Sequence, residues 1–272
     1  MPSIRRPAVA GRSPGAAFYP ADPEALRAQV DALLAEARAA APPRAARPKA
    51  LVAPHAGYRY SGPVAASAYA RVDPAGIRRV VLLGPAHRVA LRGLAAPCAE
   101  AFATPLGLVP LDAAALATAL RLPEVRRSDP AHAFEHSLEV QLPFLQRVLG
   151  DFDLVPLVFG DARPEEVEAV LDALWGGPET LVVVSSDLSH YRGYAEARDL
   201  DARTTRSIEA LEPRAIGPEQ ACGRAGVQGL LLAARTRGLA ARCVDLRSSG
   251  DTAGDRETVV GYGAYVFAPA EA

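Results

Sequence analysis

The run Leu181-Val182-Val183-Val184 constrains the fold of this chain more than any other stretch. Four apolar residues without alternation read as a strand buried on both faces, and strands of that kind belong to sheets covered by helices on both sides. A polar cluster follows at once: Ser185-Ser186-Asp187-Leu188-Ser189-His190-Tyr191. In open α/β sheets, ligands bind beyond the carboxyl ends of the strands. Residues 185–190 therefore form a candidate site, with Asp187 and His190 in the crevice.

Two further runs repeat the arrangement. Ala50-Leu51-Val52-Ala53 leads into Pro54-His55, and the run at 79–83 leads into Gly84-Pro85-Ala86-His87. This echo reads as two βα-type units placing an imidazole at equivalent strand ends. The second half alternates in the same way. Strands are expected at 154–159, 181–184, 242–246 and 259–267, and helices at 164–174, 194–211 and 227–234. Near the N-terminus, residues 1–22 form a Pro/Gly-punctuated arm. Asp22-Pro23-Glu24 then supplies an N-cap, a proline at the first helical position and an acidic first turn, so a helix should run over 23–40 with Leu26, Val30, Leu33 and Leu34 at helical spacing. Residues 41–48 form a turn or short linker, and a short helix is expected over 63–70.

Between the halves, residues 91–111 suggest a β excursion, with short strands at 93–97 and 106–111 around Phe102. A helix over 112–120 follows, then a polar loop through Asp129-Pro130. Leu138, Leu142, Leu145 and Leu149 share one face of an amphipathic helix, which puts Glu135 and His136 in or just before its first turn. The pattern is that of an α/β protein, a single domain over 1–272.

Composition narrows the partners. With 272 residues, 50% of them hydrophobic, the chain can bury a substantial core. A formal net charge of −1 gives no general attraction to nucleic acid or to an anionic membrane, leaving a small molecule or a peptide as the expected partner. Three cysteines are too few and too scattered for a disulfide framework, which fits a reducing cytoplasm. No signal-peptide core or membrane-length apolar stretch is evident.

A histidine at a strand end is more often a hydrogen-bonded structural residue than a ligand, but here the histidines recur at one edge. Three of the five, His55, His87 and His190, follow buried strands within a few residues, and His136 stands beside Glu135. Imidazoles from separate strand ends, joined by a carboxylate or a thiolate, can hold iron, zinc or copper. Asp187 and Cys222 are the candidate further ligands. Against this, Asp187 could simply close an Asx-turn or cap a helix, and Cys222 could be a small buried apolar residue, although Gly223 and Arg224 beside it suit an accessible thiolate. Cys98 and Cys243 read as core. No elbow glycine precedes Ser185 and Ser186, and no glycine-rich phosphate loop is present.

Pro54-His55-Ala56-Gly57-Tyr58, Gly84-Pro85-Ala86-His87, Glu135-His136-Ser137-Leu138-Glu139, Ser185-Ser186-Asp187-Leu188-Ser189-His190-Tyr191 and Cys222-Gly223-Arg224, in this order, resemble the Memo-like family. The resemblance runs from Arg6-Pro7-Ala8-Val9-Ala10-Gly11 to Gly261-Tyr262-Gly263, with residues 12–17 interrupting the family's first motif. It implies a three-layer α/β domain with a central mixed sheet, similar to the LigB-type extradiol dioxygenases that use non-haem iron(II). By the same resemblance, His55 and His87 match metal-binding histidines and Cys222 stands where those dioxygenases place a glutamate. His190 matches their acid/base histidine, and Asp187 an aspartate near the metal. Bacterial members are associated with radical-SAM proteins and an AMMECR-type domain, which implies a shared pathway.

The leading expectation is a metal-dependent oxidoreductase. His55, His87 and Cys222 hold one metal, iron(II) first with copper or zinc as alternatives, since a thiolate is softer than a carboxylate. His190 moves a proton, Asp187 orients it or joins the metal shell, and Tyr58, Glu135, His136, Ser186 and Arg224 contact substrate or support the ligands. A non-catalytic protein binding a metal or peptide in an inherited cleft, and a metal-assisted hydrolase, are the alternatives.

Overall fold

Four parallel strands lie side by side in the order Ala50–Ala53, Thr180–Ser185, Arg79–Pro85 and Asp153–Phe159. Every residue of Ala50–Ala53 and Thr180–Ser185 is buried, as unbroken apolar runs require. Val259–Pro269 joins antiparallel beside Ala50–Ala53 and itself carries Leu239–Ser248 and the short His190–Arg192, both antiparallel. At the other edge Leu94–Ala96 pairs antiparallel with Asp153–Phe159 and parallel with Val125–Arg127. The result is a nine-stranded mixed sheet. This computed structural model describes residues 5–7, 18–41 and 47–270. Most of the expected N-terminal arm, including 12–17, and most of the 41–48 linker lie outside those residues.

Helices cover both faces, and successive residues of each strand divide between them. Leu51, Val80, Leu82, Leu154, Leu181 and Val183 pack in one layer with Leu26, Val30 and Leu34 of the helix Pro23–Ala40 and with Phe144 and Leu145. Ala50, Val52, Val81, Leu83, Val182 and Val184 pack in the other with the helices Pro164–Leu174 and Arg224–Thr236. A period of two in side-chain direction thus builds a three-layer α/β/α arrangement from strands with no alternation in their sequence. The first helix forms as expected. Asp22 accepts from Ala25 N at 2.8 Å, a proline opens the first turn, and the apolar stripe faces the sheet. Among the described residues, no helix is long and apolar enough to cross a membrane.

Several local expectations differ from the structure. The amphipathic segment after His136 is not one helix: a 3₁₀ turn, Glu139–Gln141, precedes the α-helix Leu142–Leu149. Pro143 has no N–H to give, so the α-helix starts with it in the first turn, and Glu135 and His136 fall in the irregular segment upstream. The polar loop through Asp129-Pro130 contains the helix Asp129–Ala133 and follows the strand Val125–Arg127. Phe102, expected between two strands, lies within one, Ala101–Thr104. Cys98 is exposed rather than core, because it sits in the turn after Leu94–Ala96 with its N–H on Asp129. Cys243 is partly buried at a bulge in the outer strand Leu239–Ser248.

Gly84 is required by packing. A Cβ there would lie 2.6 Å from Ser137 Oγ and 2.9 Å from Leu138 Cδ2. Gly84→Ala should therefore force the His136 segment away from the sheet and cost about 1–3 kcal/mol, read as a lower midpoint in chemical denaturation. An unchanged midpoint would show that the segment yields freely.

Candidate metal centre

The register of the parallel strands brings the histidines together. Ala53 pairs with Ser185, Leu83 with Val184, and Pro85 with Phe159, so the segments carrying His55, Asp187 and His87 leave the sheet at one edge. His136 reaches the same place from the segment before the 3₁₀ turn. His55, His87 and His136 each offer a ring nitrogen, all within 4.8 Å of one another. Their ring centroids lie 5.3 Å (His55–His87), 5.4 Å (His55–His136) and 5.0 Å (His87–His136) apart. This group could hold a metal ion. Sequence reasoning gave His136 a supporting role. Its adjacency to Glu135 is the one local signal for a larger role, and the helical spacing downstream masks it.

Buried acceptors set the tautomers. Ser185 Oγ has one proton and donates it to Ser137 O at 2.6 Å, so it must accept from Gln141 Nε2 at 2.8 Å and from His55 Nδ1 at 2.8 Å. His55 thus carries its proton on Nδ1, and its Nε2 is an acceptor. Burial, opposed in part by the charge of Asp187, pushes the His55 pKa down to about 4. The ring is neutral at pH 7, as a metal ligand must be. Gln141 is fully buried and also donates to Pro54 O at 3.0 Å, while its Oε1 accepts from Tyr69. Its only mark in the sequence is a glutamine set between Leu138 and Leu142 in an apolar segment.

Glu135 organises the other two rings. Its carboxylate accepts from His87 N at 2.5 Å, His87 Nδ1 at 2.9 Å, His136 N at 2.8 Å and Ser137 N at 2.9 Å. His136 Nδ1 lies 3.2 Å from the same Oε1, though not in directed hydrogen-bond geometry. Burial alone would raise the Glu135 pKa, but the close His136 ring and the His87 donors hold it well below the usual carboxylate range. A carboxylate behind an imidazole Nδ1 fixes ring orientation and leaves Nε2 for a ligand, the usual support for metal-binding histidine.

The remaining expected site residues fall around this cluster. Cys222 Sγ lies 3.3 Å from His55 Nε2 and accepts from Asp187 N at 3.2 Å. With His55 Nδ1 already protonated, the contact reads as S–H donating to Nε2. Burial, reinforced by the charge of Asp187, pushes the thiol pKa up, so Cys222 is neutral without a metal rather than the accessible thiolate its neighbours suggested. Gly223 allows this approach, since a Cβ there would meet Ser185 O and Ser186 Cβ at 2.6 Å. Asp187 is buried and accepts from His55 N at 2.7 Å. Ser186 accepts from Gly223 N at 3.0 Å, and Tyr58 donates to Val140 O at 2.6 Å, so both brace the loops. Arg224 opens the helix behind Cys222.

His190 stands apart from the three-ring group, in the strand His190–Arg192. Its Nδ1 donates to Leu188 O at 2.9 Å, which leaves Nε2 able to accept a proton. Tyr191 beside it is 76% exposed and adopts a left-handed φ of 55°, unusual for a non-glycine residue.

A parallel-strand edge bearing converging imidazoles, a thiol and a buried carboxylate support defines an α/β protein with a candidate metal centre. The Memo-like protein family matches residues 5–266, and the chain belongs to that family. It is 34% identical to a MEMO1 family protein of Aquifex aeolicus, over 97% of this chain and 99% of that one. It is 36% identical to a MEMO1 family protein of Methanothermobacter thermautotrophicus, over 95% and 98%. A solved structure of an uncharacterized Escherichia coli K12 protein shares the fold, with a TM-score of 0.54 at 15% identity over 81% of this chain and 100% of that one.

The depressed His55 pKa gives the metal-free protein a pH dependence. An unfolded chain protonates this ring near pH 6.5, the native one near pH 4, so the stability it contributes is present above 6.5 and lost as pH falls through that window. The loss amounts to about 3 kcal/mol from this group. Denaturation curves of the wild type and His55→Asn should converge between pH 7 and pH 4. A constant separation would contradict a buried neutral imidazole.

Proposed function

We propose that this chain is a non-haem metal-dependent oxidoreductase acting on a small molecule. In this reading, His55, His87 and His136 hold one transition-metal ion and Cys222 joins them as a thiolate. The observation that carries the reading is the direction of the protons. Ser185 takes the Nδ1 proton of His55 and Glu135 that of His87, so each ring presents Nε2 to the shared space. Nitrogen and sulfur donors suit iron, copper or zinc, and iron(II) accommodates this set while keeping positions open. When bound, such an ion supplies electron transfer to or from substrate and dioxygen.

The chain's own groups do the rest. Neutral His55 binds without first losing a ring proton. Cys222 gives up its thiol proton on binding, and the Asp187 N–H already directed at Sγ stabilises the resulting negative charge. Asp187 also holds the His55 backbone, which fixes the loop geometry. His190, with Nδ1 committed to Leu188 O, holds or accepts a proton at Nε2 for the substrate.

One observation favours a second reading. Three imidazoles and a thiolate are enough to fill a tetrahedral shell, and a filled shell marks a structural or binding site. Two experiments decide. Under chelator competition, His55→Ala and His87→Ala should each lose the ion, whereas His190→Ala should keep it. With iron(II) loaded anaerobically, a panel of small phenolic and enediol substrates should give oxygen uptake that His190→Ala lowers by about 10²–10⁴-fold. No uptake above that of free iron(II) across the panel, with the ion tightly held, would establish the binding reading instead.

A further inference from the structure

Phe18 and Tyr19 lie far from the histidines in sequence and make contacts that the metal reading does not require. The Phe18 ring stacks on His136 with centroids 4.4 Å apart and planes inclined by 19°. Phe18 O accepts from Tyr58 N at 2.7 Å, which ties the segment to the loop carrying His55. Tyr19 turns the other way. It is buried, its hydroxyl donates to Glu139 Oε1 at 2.5 Å, and its ring lies 5.4 Å from that of Tyr58. Two consecutive aromatic residues thus join the His55 loop to the segment that carries His136.

The need for such a support comes from His136 itself. His87 Nδ1 makes a directed bond to Glu135 at 2.9 Å, and His55 Nδ1 one to Ser185 at 2.8 Å. His136 Nδ1 has no directed bond, only the 3.2 Å approach to Glu135. Of the three imidazoles it is the one held at Nδ1 by a close approach to a carboxylate rather than by a directed hydrogen bond. Stacking supplies the missing restraint: Phe18 at 4.4 Å, and His87 at 5.0 Å with planes inclined by 26°.

We infer that Phe18 is a positioning residue for the metal centre, its ring holding the plane of His136 so that the imidazole faces the site shared with His55 and His87. The inference rests on the metal reading given above. A supporting group behind a ligand typically contributes about 10–100-fold in metal affinity. Phe18 does so through ring stacking rather than through a hydrogen bond.

Cobalt(II) is the probe, because its visible absorption reports ligand number and geometry independently of turnover. The experiment titrates the full chain and its variants with cobalt(II) and follows each with chelator competition and thermal denaturation. Phe18→Ala should bind about 10–100-fold more weakly than wild type and show an altered cobalt(II) spectrum. Phe18→Tyr, which keeps the ring, should restore both. Phe18→Leu keeps apolar bulk without the ring and should resemble Phe18→Ala, so it carries the test if the alanine variant does not fold. Tyr19→Phe loosens the same segment from Glu139 without touching the His136 ring. It should lower the thermal midpoint and leave the spectrum as in wild type. Failure of the wild type to bind cobalt(II) would refute the metal reading itself. Wild-type binding with affinity and spectrum unchanged in both Phe18→Ala and Phe18→Leu would refute the role of Phe18 alone, as would an equal spectral change in Tyr19→Phe.

Discussion

The parallel register of Ala50–Ala53, Thr180–Ser185 and Arg79–Pro85 is the constraint on which the site depends. The pairing of Ala53 with Ser185 fixes how far His55 and Asp187 project past the sheet, and that of Leu83 with Val184 does the same for His87. A slip of one residue would turn every buried side chain to the opposite layer and carry the histidines out of alignment. Core packing and site geometry are therefore held by the same pairing. The histidines need no motif of their own at close spacing because the sheet provides their spacing.

Behind the rings lies a buried polar network in which each member limits the next. Gln141 and His55 both donate to Ser185, which can then give its only proton to Ser137. Glu135 takes four directed donors with two oxygens. Such groups are costly to bury unless satisfied, and once satisfied they specify one arrangement. This network engages Nδ1 of both His55 and His87, which leaves Nε2 of each ring as the atom available to a ligand. The Cys222 thiol remains neutral without a metal because it is buried beside the charge of Asp187, and its S–H is within hydrogen-bond reach of His55 Nε2.

Much of this was legible in the sequence. The unbroken apolar runs marked the central strands, and Asp22-Pro23-Glu24 located the start of the first helix, because capping and burial are local consequences of residue type. His55 and His87 stood out since each follows a strand directly. The position of His136 did not, because Leu138, Leu142 and Leu145 imitate a continuous helix and nothing local says that a 3₁₀ turn intervenes. Gln141 was hidden for the same reason: its worth lies in partners such as Ser185, 44 residues away in the chain. The short strands Val125–Arg127 and His190–Arg192 exist only by pairing with distant partners, which no periodicity within three residues can signal. Family resemblance identified the protein class, but the tautomers came only from the three-dimensional hydrogen bonds.

The central claim is that imidazoles from three separate segments, with the Cys222 sulfur, coordinate one ion. X-ray absorption fine structure on anaerobically purified, zinc-reconstituted protein tests it most directly. The account predicts imidazole outer-shell scattering, nitrogens at about 2.0–2.1 Å and one sulfur at about 2.3 Å. A first shell of oxygens alone, without imidazole scattering, would contradict it.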